Sequence, residues 1–194
     1  MSCKILKIEG SWEEVKNACR TTISLEDKKG EPKLSWIYKL LQAEHSPIRE
    51  ITIKWEWRDI PYWVHTHLVR HHIGIQYYVS SQRDDRQPKT AGQAHESRKN
   101  KSQSELVTVK ATANLQAILN ISRKRLCKQA SSETTQAWLE FLMELNDHMP
   151  EVTDCTVPEC IYRGFCPEMK SCGWVNTEVF EEELETYRNL RNEG

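Results

Sequence analysis

Between Ile60 and Arg83 the chain gathers four of its seven histidines, His65, His67, His71 and His72, together with Arg70 and Arg83. Asp59 is placed to cap a helix, and Pro61 suits its first turn, where a missing N–H costs nothing. Gly74 marks the predicted end of that helix, and the β-rich residues Ile75, Tyr77, Tyr78 and Val79 read as a strand. Cationic and neutral donors at a helix end, followed by Ser80, Ser81 and Arg83, are groups suited to surrounding a phosphate. The same residues serve equally well as a solvated basic helix face. His67 and His71 stand four residues apart and could share a zinc ion, but no H-E-x-x-H pattern accompanies them.

The elements that must position these groups read as one domain with a core of ordinary size, since the chain has 194 residues. A net charge of −1 argues against general nucleic-acid binding by bulk electrostatics. No apolar run approaches a membrane span, and the start M-S-C-K-I-L-K lacks the apolar core of a signal peptide, so the expected compartment is the cytoplasm. Seven cysteines there are thiols or metal ligands more readily than disulfides. Seven tryptophans offer large packing and oligomer surfaces.

In chain order, Lys4–Glu9 reads as a short edge strand. Ser11 and Glu14 form a capping box for a helix reaching about Thr22, with Trp12, Val15 and Ala18 on one face. Leu34, Ile37, Leu40 and Leu41 stripe a second helix. Ile51–Trp57 alternates without fault, placing Ile51, Ile53, Trp55 and Trp57 on one face of a half-buried strand. The polar stretch 84–104 reads as a long exposed loop, a lid or a disordered segment. A strand from Glu105 to Lys110 precedes a helix over about Thr112–Gln129, with Leu115, Ile118, Leu119, Ser122 and Leu126 inward and Arg123, Lys124, Arg125 and Lys128 near its C-terminus, where cations complement the helix dipole. Ser131 or Ser132 caps the next helix, and Trp138, Leu139, Phe141, Leu142 and Leu145 form its core side until Pro150. Thr177 opens a closing amphipathic helix. The expected fold is α+β, an antiparallel or mixed sheet flanked by helices. Residues 1–150 form the main domain, and 151–194 a Cys-rich segment and helix packed on it.

The run R-H-H-I-G-I-Q-Y-Y-V-S-S-Q-R at 70–83 resembles the signature R-H-R-x-x-S-x-N-E-x-S-x-R-Y of the flavin-dependent thymidylate synthases. Arg70, His71 and Ser80 fall on it without a gap, and Arg83 meets the final arginine after one insertion. His72, Ile75 and the pair Tyr77–Tyr78 depart from it. His45 and Glu50 have the family's five-residue separation and its distance to Arg70. The helix region resembles N-x-R-x-x-x-N-F-L-x-L-R-x-x-x-x-A-Q-x-E-I-R at Asn114, Asn120, Arg125, Ala130 and Glu133, with Gln116 and Thr135 replacing its first and last arginines. The resemblance spans roughly residues 5–145.

It implies C5 methylation of dUMP or a related pyrimidine nucleotide, with FAD as cofactor and NADPH and methylenetetrahydrofolate as co-substrates, in a homotetramer whose sites are shared between subunits. Arg70 and His71 would act on the pyrimidine and flavin, while His45, Glu50, His72, Asn114, Asn120 and Arg125 would line the flavin. His67, Ser80, Ser81 and Arg83 would hold the nucleotide. The altered positions leave open a relative with another outcome, such as hydroxymethylation, or a non-catalytic nucleotide or flavin binder. Independently of the resemblance, Cys155, Cys160, Cys166 and Cys172 fall within eighteen residues. They could close a structural zinc site, hold an iron–sulfur cluster, or simply pack as small residues.

Overall fold

The computed structural model describes residues 1–83, 86 and 98–192. Among them four strands, β1 (Ser2–Glu9), β2 (Thr52–Pro61), β3 (Ile75–Val79) and β4 (Leu106–Asn114), form one sheet in the order β1-β2-β4-β3. Every pairing is antiparallel, which resolves the expectation of an antiparallel or mixed sheet in favour of the former. The helices are α1 (Trp12–Thr21), α2 (Leu34–Ala43), α3 (Tyr62–Leu68), α4 (Leu115–Arg125), α5 (Ser132–Asn146), α6 (Pro150–Thr153), α7 (Glu159–Arg163) and α8 (Glu178–Asn189).

The alternation in β2 has the predicted effect, because Ile51, Ile53, Trp55 and Trp57 are fully buried. Helix α5 crosses that face: Trp55 stacks on Phe141 with centroids 4.2 Å apart, and Trp57 meets Trp138 at 6.2 Å. The opposite face of the sheet carries charge, where Lys54 pairs with Glu9 at 3.0 Å and Glu56 with Arg58 at 2.6 Å. A sheet greasy on one side and ionic on the other is what strict alternation specifies. The indole of Trp138 donates to Ser122 Oγ at 2.9 Å, and that hydroxyl donates to the Ile118 carbonyl at 2.8 Å, so α4 and α5 are locked by a satisfied buried pair. Ser11 caps α1 by accepting from the Glu14 N–H at 3.2 Å. In place of the reciprocal backbone contact, the Glu14 carboxylate takes the serine hydroxyl at 3.0 Å.

Three boundaries differ from the sequence reading. Asp59 does not cap α3. It sits at φ +57° in a bulge between Trp57 and Ile60, and β2 runs on to Pro61 because Ile60 returns to the core. α3 ends at Leu68, well before Gly74. The helix expected from Thr112 begins at Leu115, because Ala111 and Ala113 pair in the sheet and Asn114 supplies the cap. Of the stretch 84–104, residues 84–85 and 87–97 lie outside the described residues; 98–100 form a 3-10 turn.

The C-terminal segment is built onto the same body. Met149, Val152, Cys155 and Leu190 join the main core, while Ile161, Trp174, Phe180 and Leu184 form a small second cluster. Among the described residues no helix is long and apolar enough to cross a membrane.

Candidate functional site

Helices α3 and α4 both end, and α5 begins, at one junction. There Arg125 Nε donates to His71 Nε2 at 2.9 Å, and Arg125 Nη2 donates to the His67 carbonyl at 3.2 Å. A guanidinium can only donate, so Nε2 is an acceptor and the neutral ring carries its proton on Nδ1. Burial, with the Arg125 charge beside it, lowers the His71 pKa to about 4. Thr135 Oγ1 donates to the Arg125 carbonyl at 2.8 Å, and His67 Nδ1 lies 3.2 Å from Thr134 Oγ1. Arg70 is exposed at the end of α3, close enough for its charge to act on Arg125. His65 and Tyr77 pack beside this junction, rings 6.1 Å apart; His65 Nδ1 and the Tyr77 hydroxyl are buried and have no hydrogen-bond partner among the described residues. Burial lowers the His65 pKa and raises that of Tyr77.

A cleft of about 600 Å³ opens along the first half of α4, lined by Glu44, Arg49, Ile73, Gly74, Asn114, Gln116, Ala117 and Asn120. Its wall is set by Gly74, which has φ +73° and would bring a Cβ to 3.0 Å from Asn114 Nδ2. The Asn114 side chain caps α4 by accepting from the Ala117 N–H at 2.9 Å. Glu44, itself left-handed at the end of α2, receives hydrogen bonds from Arg123 and Gln116, and Arg123 lies over the Tyr162 ring at 3.5 Å. Burial opposes ionisation of Glu44, but the hydrogen bonds from Arg123 and Tyr162 outweigh it and hold the pKa low. Asn120 Oδ1 accepts from Arg123 Nη1 at 3.1 Å. A neighbouring cleft of about 330 Å³ shares Gly74 and Asn114 and adds His72.

The segments around His45, Arg70 and Arg125 therefore touch one another, through Glu44–Arg123, Gly74–Asn114 and His71–Arg125. The side chains chosen from sequence are distributed unevenly along them. His45 and Glu50 are exposed at the two ends of the 3-10 turn Ser46–Glu50, and their neighbours Glu44 and Arg49 line the cleft instead. Gly10 passes over this turn so closely that a Cβ would lie 2.6 Å from the Glu50 carbonyl oxygen. Ser80 and Ser81 line a separate hollow of about 270 Å³ with Gln82, Arg86 and Glu105. There Ser80 Oγ accepts from the Thr108 N–H at 3.1 Å, and Ser81 Oγ accepts from the Arg83 N–H at 3.2 Å. Glu44 and Arg49 escaped the sequence reading, and His65 and Tyr77 were noticed there without being given a role at the site. The clustering of His65 with three other histidines and the non-pattern tyrosine at 77 were the signals that could have flagged those two.

The four tail cysteines do not converge. Among the described residues no group of three or more His, Cys, Asp or Glu side chains is disposed to hold a metal. Cys155 is buried in the main core with its thiol pushed up to about 12, chiefly by burial, whereas Cys172 is exposed. All seven cysteines are free.

These features define an α+β protein with an all-antiparallel four-stranded sheet, whose polar clefts lie along the seam of β3, β4 and α4. That fold is the one found in flavin-dependent thymidylate synthases. The chain is similar to ThyX from Helicobacter pylori complexed with FAD and dUMP, at TM-score 0.63 and 11% identity, over 81% of this chain and 100% of that one. It is similar also to the UMP/dUMP methylase PolB from Streptomyces cacaoi bound with 5-Br dUMP, at TM-score 0.60 and 14% identity, over 84% of this chain and 95% of that one. No family model matches the chain, and no curated protein matches it in sequence.

Proposed function

We propose that the protein is a flavin-dependent enzyme that methylates C5 of a uracil deoxynucleotide, converting dUMP to dTMP. The observation that carries this reading is the contact between Arg125 and His71. It joins the two segments whose residues resemble the family patterns, on a fold shared with enzymes of that chemistry.

The 600 Å³ cleft is of the size that encloses a cofactor ring system. Its amides, Asn114, Gln116 and Asn120, with Arg49, are the donor and acceptor set that suits the carbonyl and N–H edge of an isoalloxazine, and the absent Cβ of Gly74 keeps the wall open. Those residues and His72 would hold FAD. When bound, FAD would pass reducing equivalents from NADPH to the pyrimidine, with methylenetetrahydrofolate as carbon donor. Arg70, exposed and without an acidic partner among the described residues, would polarise a pyrimidine carbonyl. His71, held neutral and in one tautomer, offers its Nδ1–H as a hydrogen-bond donor at pH 7 without adding charge. Arg125 acts by orienting that ring. Ser80, Ser81 and Arg83 would meet the nucleotide phosphate. The assembly would be a cytosolic homotetramer with sites completed by neighbouring subunits.

A second reading, modification of a related uracil nucleotide or a different one-carbon outcome, is favoured by two replaced arginines. Thr135 uses its hydroxyl on the Arg125 carbonyl, and Gln116 binds Glu44, so neither supplies the cation that the family pattern has there.

The visible spectrum of protein incubated with FAD tests both readings, which require bound flavin bands. Tritium release from C5-labelled dUMP in the presence of NADPH and methylenetetrahydrofolate tests the first. Bound flavin with no release from dUMP but release from labelled UMP would favour the second, and protein that takes up no FAD would leave neither standing.

A further inference from the structure

Cys127 follows α4 two residues after Arg125, and the residues on both sides of it are tied to the C-terminal segment. Lys124 lies 3.5 Å from Glu159 and 3.7 Å from Glu168. Lys128 stands over the Trp174 ring at 4.1 Å, and Gln129 Nε2 donates to the Lys170 carbonyl at 2.7 Å. Cys160 is the next residue after Glu159 on α7, and Cys166 lies two residues before Glu168. Helix α7 packs against α4. These contacts draw the end of α4 against the segment that carries Cys160 and Cys166, and the three thiols on the two sides of that contact are free and half-buried.

We propose that Cys127 and Cys160 are a redox site, closing a reversible disulfide that fastens the C-terminal segment to the end of α4. This inference is independent of the enzymatic reading. Burial raises the Cys160 pKa, backbone N–H groups at Ile161 and Cys160 partly offset it, and the Cys127 and Cys166 sulfurs lie near enough to add a smaller upward push. The oxidant is a low-molecular-weight disulfide such as oxidised glutathione. The Cys127 thiolate attacks one of its sulfurs and one glutathione thiolate leaves. The Cys160 thiolate then attacks Cys127 Sγ, the second glutathione leaves, and each released thiolate takes a proton. Two protein thiols are oxidised and one glutathione disulfide is reduced. The bond would anchor the backbone immediately beyond Arg125. A thiol pair of this kind in a reducing compartment is a redox sensor more readily than a permanent staple.

The test uses the full chain, incubated with oxidised glutathione at pH 8, alkylated, and digested without reduction. Trypsin separates Cys160 from Cys166 after Arg163, and a glutamate-specific protease separates Cys155 from Cys160 after Glu159. The expected product is a peptide pair linked through Cys127 and Cys160 that disappears on treatment with dithiothreitol. Thermal unfolding of the oxidised protein should shift up by about 5–10 °C, and Cys127→Ser should abolish both the link and the shift. A Cys160–Cys166 link in its place, glutathione adducts alone, or no linked peptide would overturn the proposal.

Discussion

Arg125 and His71 are joined through Nε and Nε2 at 2.9 Å, an arrangement that only a neutral imidazole can accept. The pKa of His71 lies at about 4 in the fold against 6.5 for the free side chain, through burial first and then the charges of Arg125, His72 and Lys124. Because the unfolded chain takes up the proton more readily, this group's contribution to stability is complete above pH 6.5 and is lost as pH falls toward 4. His65, lowered by burial, acts with the same sign. The urea midpoint should therefore drop between pH 7 and pH 5. His71→Asn should show a visibly smaller drop, although it starts from lower stability. Equal drops in the two proteins would remove His71 from the account.

Arg125 holds two acceptors at once, the His71 ring and the His67 carbonyl. Lysine keeps the charge but has no fork with which to reach both. Arg125→Lys should leave the far-UV spectrum unchanged and weaken FAD binding by about tenfold or more, on the scale of one charge-assisted hydrogen bond. Titration of flavin fluorescence measures this directly. Unchanged affinity would mean that the junction does not orient the flavin site.

How much of this was readable in advance varies from element to element, for identifiable reasons. Strand β2 was legible because burial of Ile53, Trp55 and Trp57 on one face leaves a period-two imprint that no local contact disguises. The start of α3 was not, because Asp59 and Pro61 are good helix openers locally. Burial of Ile60 outweighs that preference and carries the strand through a bulge. At the site, the contact of His71 with Arg125 joins two segments that the resemblance to a known family, and no local pattern, had related. The turn of Glu44 into the left-handed region could not be anticipated, since glutamate rarely adopts it. For the tail cysteines, closeness in sequence left a metal site and packing as small residues equally open, and it is burial of Cys155 in the main core and exposure of Cys172 that set them apart.

Gly74 and Asn114 meet in the wall shared by the two clefts, and the Asn114 N–H also donates to the Gly74 carbonyl at 3.1 Å. Gly74→Ala asks an L-residue to hold φ +73° while its Cβ presses on the Asn114 amide. The left-handed conformation alone costs about 1–2 kcal/mol, and disturbing the helix cap adds about 1 kcal/mol. Chemical denaturation should show a loss of about 2–3 kcal/mol in sum, together with weakened FAD uptake. Asn114→Ala should lose only the cap contribution. A fully stable Gly74→Ala protein would show that the backbone there can relax into an ordinary conformation.

Glu44 is the acid that draws α2, α4 and α7 together, through Arg123, Gln116 and Tyr162. Its carboxylate and the Arg123 guanidinium are largely withdrawn from water, at 16% and 12% side-chain exposure, so removing either partner strands the other. Arg123→Met should cost about 3 kcal/mol or more by leaving Glu44 without its main partner, and the loss should shrink on acidification. Glu44 is held below the usual carboxylate range, so its contribution is present above pH 4.5 and fades as pH falls through its folded pKa. Glu44→Gln retains a hydrogen-bond acceptor for Gln116 and Tyr162 and should be milder than Arg123→Met. The double variant Glu44→Gln/Arg123→Met should be more stable than the sum of the two single losses predicts, because no uncompensated charge remains. Denaturation midpoints of the four proteins at pH 7 complete the cycle. Strict additivity would show that the two side chains, though in contact, do not depend on each other.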